Sequence, residues 1–129
     1  MAMLAVAVIA LPARTIAAEA TLPNGQQLFK DRCASCHGAD ATGNGPAASG
    51  MSPSPANLTE ISKRAGGQFP SAHVAEVITY GGGVSAHGAG PMPIWGKVFS
   101  DEGGRGKIGA ATSRRNVIAL KRYLESIQK

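Results

Sequence analysis

The sequence predicts an all-α domain with three main helices joined by long loops, and three observations carry that prediction. From about Arg114 to Gln128, Val117, Leu120, Leu124 and Ile127 recur at helical spacing with Tyr123 beside them, while Arg115, Lys121, Arg122 and Glu125 take the opposite face. Asn24 stands as an N-cap ahead of Gly25–Arg32, a short helix whose buried side is Leu28 and Phe29. Residues 38 to 60 are dominated by Gly, Pro, Ser and Asn and read as one long loop, of a length that is either functional or disordered.

Taken in order, residues 1 to 20 read as a secretory signal peptide. Ala2 to Leu11 is an apolar run of h-region length, and Ala18-Glu19-Ala20 fits the small-x-small cleavage pattern. No Lys or Arg precedes the run, which departs from the usual pattern. The run is too short for a permanent span, which needs about 20 apolar residues. Export follows, leaving residues 21–129 as a single domain. Removing residues 1 to 20 deletes Arg14 and Glu19 together, so the net charge stays at +5.

In the first helix, Gly25 and Phe29 stand one turn apart on one face, where a missing side chain lets another helix approach closely. The partner expected there is the C-terminal helix, capped by Thr112 or Ser113. A third helix runs from about Ala72 to Tyr80, capped by Ser71, with Val74, Val77 and Ile78 inward and Gly81 past its end. Residues 100 to 112 read as a polar, Gly-rich connector.

The chemistry resides in Cys33-Ala34-Ser35-Cys36-His37. C-x-x-C-H is the attachment signal of a c-type haem: two thiols three positions apart meet the two vinyl groups of one porphyrin, and the next residue offers an imidazole to the iron. A structural zinc site needs about four ligands, and the chain has no third cysteine. A redox dithiol of the thioredoxin kind belongs to a βαβ pattern, which is missing here. Aromatics make up only 5% of the chain and Gly numbers 17, so side chains alone give a thin core. A covalently bound porphyrin supplies the missing apolar bulk. The net charge of +5 and pI near 9.6 point to an acidic partner. Nucleic acid is excluded as that partner, since no nucleic-acid-binding motif is present and the basic residues are not interleaved with aromatics.

Gly25-x-x-Leu28-Phe29 ahead of Cys33-x-x-Cys36-His37, with Leu120-x-x-Tyr123-Leu124 near the end, resembles the crossed terminal helices of the class I c-type cytochromes. Cys36-His37-Gly38-Ala39-Asp40 followed by Gly43-Asn44-Gly45-Pro46 and Pro53-Ser54-Pro55-Ala56-Asn57-Leu58-Thr59 is most similar to small bacterial periplasmic members. The resemblance implies the cytochrome c fold wrapped around one haem c attached through Cys33 and Cys36. It also implies a periplasmic, monomeric electron carrier, or the electron-carrying subunit of a redox complex. The long loop would wrap the proximal edge of the porphyrin, and a proline carbonyl would accept the His37 Nδ1 proton, with Pro55 preferred by resemblance over Pro46 and Pro53. Leu58 would lie against the ring, and the helix ending at Tyr80 would cover one edge.

The second axial ligand is sought among the methionines, because His/Met pairs are common in electron-transfer haem proteins. Two of the four methionines lie in the signal peptide, leaving Met51 and Met92. Met51 sits in the long loop 14 residues from His37, whereas Met92 follows a helix that can carry the chain to the opposite face and is held between Pro91 and Pro93. The Pro-Met-Pro segment looks like the family's distal loop, which implies Met92. His87 is the alternative ligand. Trp95 is expected on the haem rim, His73 in solvent, and Lys63 or Arg64 either near a propionate or solvated. Lys97, Arg105, Lys107, Arg114 and Arg115 are expected to surround the exposed edge as a docking surface for an acidic redox partner. With both axial positions filled the iron exchanges electrons only, so no catalytic residues are expected. The rival is a haem enzyme or gas sensor whose distal position is open or labile.

Overall fold

The computed structural model describes residues 21–81 and 92–129. Six α-helices and no strands occur among these residues: α1 (Gly25–Arg32), α2 (Ala34–His37), α3 (Ile61–Arg64), α4 (Ser71–Tyr80), α5 (Trp95–Gly103) and α6 (Gly106–Ser126). Two single turns of 3-10 helix, Ala48–Gly50 and Leu58–Glu60, interrupt the long loop. The three expected helices are present as α1, α4 and α6. The signal-peptide reading of residues 1 to 20 lies outside the described residues.

α1 begins as its sequence predicts, with the Asn24 side chain accepting from the Gln27 amide at 3.0 Å. It buries Phe29 completely, and that ring meets Tyr123 of α6 with centroids 5.4 Å apart. Gly25 is where α1 touches α6: a Cβ added there would collide with the Ala119 carbonyl and with the Tyr123 side chain. Every residue except glycine would force the two helices apart.

The C-terminal half departs from expectation. The stretch read as a connector is helical: α5 runs on to Gly103, two residues turn the chain, and α6 starts at Gly106. Neither proposed cap acts as one. Thr112 Oγ1 donates back to the Ile108 carbonyl at 3.1 Å, and Ser113 Oγ donates across to the Gly96 carbonyl of α5 at 2.8 Å in a buried contact. The hydroxyls that suggested a helix start thus serve the helix interior and the seam with α5. Glycine and hydroxyl residues weaken a helix in isolation, but packing overrides that weak preference. Here α5 lays Phe99, 1% exposed, into the core beside α6. Ser71 likewise is the first residue of α4 and makes no capping bond; Pro70 precedes it as the cap residue.

The C-terminus closes the structure. Gln128 Nε2 donates to the Leu58 carbonyl at 2.8 Å and to the Leu124 carbonyl at 2.7 Å, its Oε1 accepts from the Ser62 amide at 2.9 Å, and the Lys129 amide donates to the Thr59 carbonyl at 2.9 Å. Residues 58 to 62 are therefore pinned to the end of α6. Among the described residues no buried polar side-chain atom lacks a partner. No described helix is long and apolar enough to cross a membrane.

Two substitutions test this packing. Gly25→Val should destabilise the holoprotein by about 1–3 kcal/mol through overpacking at the α1–α6 crossing. Gln128→Ala should cost about 1–2 kcal/mol through lost bonds to the 58–62 segment. Guanidinium denaturation followed by circular dichroism measures both.

Candidate functional site

The candidate site starts where α1 hands over to α2. Cys33 ends the first helix and opens the second; its carbonyl accepts from the amides of Cys36 at 3.1 Å and His37 at 2.8 Å, so both cysteines and the histidine ride on one helical turn. Gly38, at φ 81°, then turns the chain away. A turn this short leaves its last carbonyls without helical donors, and the long loop supplies them. The amides of Ala47, Gly45 and Gly43 reach the carbonyls of Ser35 at 2.9 Å, Cys36 at 3.1 Å and His37 at 2.8 Å. Gly45 is needed at the middle contact, because a Cβ there would press on the carbonyls of Ala34 and Ser35. The loop also folds on itself, with the Leu58 amide donating to the Ala41 carbonyl at 2.7 Å and Asp40 accepting from the Thr42 amide and hydroxyl. Those bonds from Thr42 hold the Asp40 carboxyl below its ordinary value.

The His37 ring is fixed through Nδ1, which lies 3.0 Å from the Ala56 carbonyl. A backbone carbonyl only accepts, so Nδ1 carries the proton and Nε2 is left with its lone pair. The acceptor is the residue after Pro55, and neither Pro55, Pro46 nor Pro53 takes that role. The prolines stiffen the segment, while the register of the turn decides which carbonyl points at the ring. Arg64 holds the neighbouring carbonyl of Asn57 at 2.7 Å, and Asn57 caps the following 3-10 turn through the Thr59 amide and hydroxyl.

These side chains face a cavity of about 660 Å³. Cys33, Cys36, His37 and Met92 all line it. Met51 lines it too, as do Leu58, Trp95 and the core residues Phe29, Val74, Ile78, Leu120 and Leu124. Trp95 stacks on Phe99 at 5.7 Å, which sets its ring in the wall. Residues 82–91, with His87 and Pro91, lie outside the described residues. Burial pushes the Cys33 thiol up to about 12, with the neighbouring Cys36 adding to the effect. Reactive dithiols have their thiol pKa lowered, so this environment is the reverse of what a redox dithiol needs.

The cations of the wall are Arg32 and Arg64, and exposed His73 stands at its edge, 3.8 Å from Glu76. Arg32 is also held by Glu102 of α5, at 3.0 and 3.2 Å, which fastens the start of the motif to that helix. Lys63 pairs with Glu60 at 3.6 Å. None of Lys97, Arg105, Lys107, Arg114 or Arg115 lines the cavity, and Lys97 is engaged by Asp101 at 2.6 Å. Ala56, Arg32 and Gln128 are the contributors that sequence reasoning missed. A backbone carbonyl carries no residue signature, and the other two act across helices far apart in the chain.

The family model described as Cytochrome c matches residues 22–128. The chain belongs to the cytochrome c family. No curated protein and no solved structure matches it. The all-α architecture agrees with the cytochrome c fold, and haem binding with haem-based electron transfer is the family's general function. The cavity fits such a group on its own terms. Its volume falls within the range of cofactor sites, and its wall is largely apolar with a few polar groups converging on one place. A flat apolar group such as haem would fit this cavity.

The lowered Asp40 pKa has a direct consequence. Its contribution to the loop is complete above the ordinary value of 3.8 and is lost as pH falls through the lower native value. The NMR shift of the Thr42 amide in the holoprotein should titrate with a midpoint below 3.8, and Asp40→Asn should remove the transition.

Proposed function

We propose that this cytochrome c is a periplasmic single-electron carrier, working alone or as the cytochrome subunit of a redox complex. Its haem would be attached through Cys33 and Cys36, with His37 and Met92 as axial ligands. The observation that carries the reading is the convergence of two thiols, one oriented imidazole and the thioethers of Met92 and Met51 on the wall of a single apolar cavity. When bound, haem supplies an iron that takes up and releases one electron.

The residues of the chain do the rest. Cys33 and Cys36 give their sulfurs to two thioether bonds, which fix the group in the cavity. His37 presents Nε2 because Ala56 holds the other nitrogen, and this outer bond sets the ring's orientation and raises its basicity as a ligand. Met92 offers a soft sulfur, which favours the reduced state and raises the potential. Leu58, Val74, Ile78, Leu120 and Leu124 keep water from the centre. Such an arrangement needs neither a proton donor nor an open coordination position, and it asks for no catalytic residue. Export of residues 21–129 after cleavage of residues 1 to 20 would place the carrier in the periplasm, the setting implied by the apolar leader.

Protein matured with the haem-attachment machinery should retain one haem per chain through acid-acetone extraction, and its pyridine haemochrome spectrum should be that of a doubly thioether-linked group. Ferric wild-type protein should show the sulfur-to-iron charge-transfer band. Met92→Ala should abolish that band, lower the reduction potential and admit carbon monoxide to the reduced protein. A band that survives Met92→Ala would transfer the ligand role to Met51. Absence of the band from low-spin wild-type protein would transfer it to His87, and rapid carbon monoxide binding by wild type would favour an enzyme or sensor.

A further inference from the structure

The positive charge of this protein is not spread over its surface. Residues 105 to 129 hold seven basic side chains against one acid, a net charge of +6, whereas the preceding 104 residues hold six basic against seven acidic, a net charge of −1. Structure concentrates the charge further. α6 is about 31 Å long at 1.5 Å per residue. Lys107, Arg114, Arg115 and Arg122 are exposed on its outer side with half-buried Lys121 beside them, Arg115 also donating to the Thr21 carbonyl, while Val117, Leu120 and Leu124 are buried on the inner side.

Leu120 and Leu124 line the cavity, so the cationic face looks away from it. Local pairing does not neutralise this face. Among the described residues, Glu60, Glu76, Asp101 and Glu102 are matched to Lys63, His73, Lys97 and Arg32 on other elements. Asp31 and Asp40 accept bonds from Gln27 and Thr42. Glu125 is the single acid on α6.

We propose that the outer face of α6 is a tethering surface for an acidic protein partner, separate from the route by which electrons enter and leave the cavity. The tethering role rests on the electron-carrier reading above; the charged face itself does not. Its shape favours a carboxylate-bearing protein over a lipid bilayer. A helix that lies in a membrane interface must bury an apolar face in it, and the apolar face of α6 is already spent on the protein core. On the outer side Ile108 is the only fully exposed large hydrophobic residue of α6. Three of the five cations are arginines, whose planar fork pairs bidentately with carboxylates. A partner held there would leave the cavity side free, as a cytochrome fixed within a complex requires.

The test uses holoprotein and immobilised poly-L-glutamate as the acidic probe. The triple variant Lys107→Glu/Arg114→Glu/Arg122→Glu should bind at least tenfold more weakly than wild type. A control with the same charge change elsewhere, Lys30→Glu/Lys63→Glu/Lys97→Glu, should lose less than threefold. Reduction of the haem by a small neutral reductant should proceed at the same rate with and without the probe. Equal losses in the two triple variants would overturn the proposal, because the attraction would then follow net charge alone. Slowed reduction would overturn it by placing the probe over the cavity. Tighter binding to vesicles containing phosphatidylglycerol than to poly-L-glutamate would overturn it in favour of a membrane surface. Haem that does not reduce at all, with α6-dependent binding intact, would sink the electron-carrier reading and leave the charged face standing.

Discussion

The side chains of α1, α4 and α6 meet one another on one side and leave the other side to the cavity, and that arrangement governs the rest of the structure. Phe29, Val74, Ile78, Leu120 and Leu124 are each nearly inaccessible, yet all contribute to the cavity wall. In a chain with few aromatics, this space suits the apolar group that the cytochrome c family binds. A haem bound there would be the largest element of the core, with the helices as its walls.

The same constraint explains the long loop. The four residues of α2 carry Cys36 and the histidine, with Cys33 as the cap, and are too few to satisfy their own carbonyls. Gly43, Gly45 and Ala47 satisfy them from the loop, and Ala56 then reaches the imidazole. Gln128 and Arg64 hold the far end of the loop, from the C-terminus and from α3. The orientation of His37 therefore depends on hydrogen bonds that begin some 90 residues later in the chain. Order in this segment comes from hydrogen bonds made with the motif helix and α6, since it contains little regular structure of its own.

Charge is organised with similar economy. On the cavity wall Arg32 and Arg64 are each tied to a neighbour; on α6 Arg115 donates to the Thr21 carbonyl, and the cations stand on the side that the core does not use. An amphipathic helix has one apolar and one polar side; here the apolar side serves the cavity and the polar side is left for recognition.

Sequence alone determined the all-α class, the cap and glycine contact of α1, the inward register of Val74, Ile78, Leu120 and Leu124, and the C-x-x-C-H pattern of Cys33, Cys36 and His37. Each of these depends on spacing within one helical turn or on a covalent requirement between near neighbours, and such information survives without the fold. Tertiary structure alone decided that residues 95–103 and 106–112 are helical, that Thr112 and Ser113 serve helix interior and helix seam, that Ala56 holds the imidazole, and that Lys97, Arg105, Lys107, Arg114 and Arg115 do not line the cavity. Those outcomes turn on which backbone carbonyl or helix face lies opposite another, and a sequence pattern contains no record of what it will be packed against.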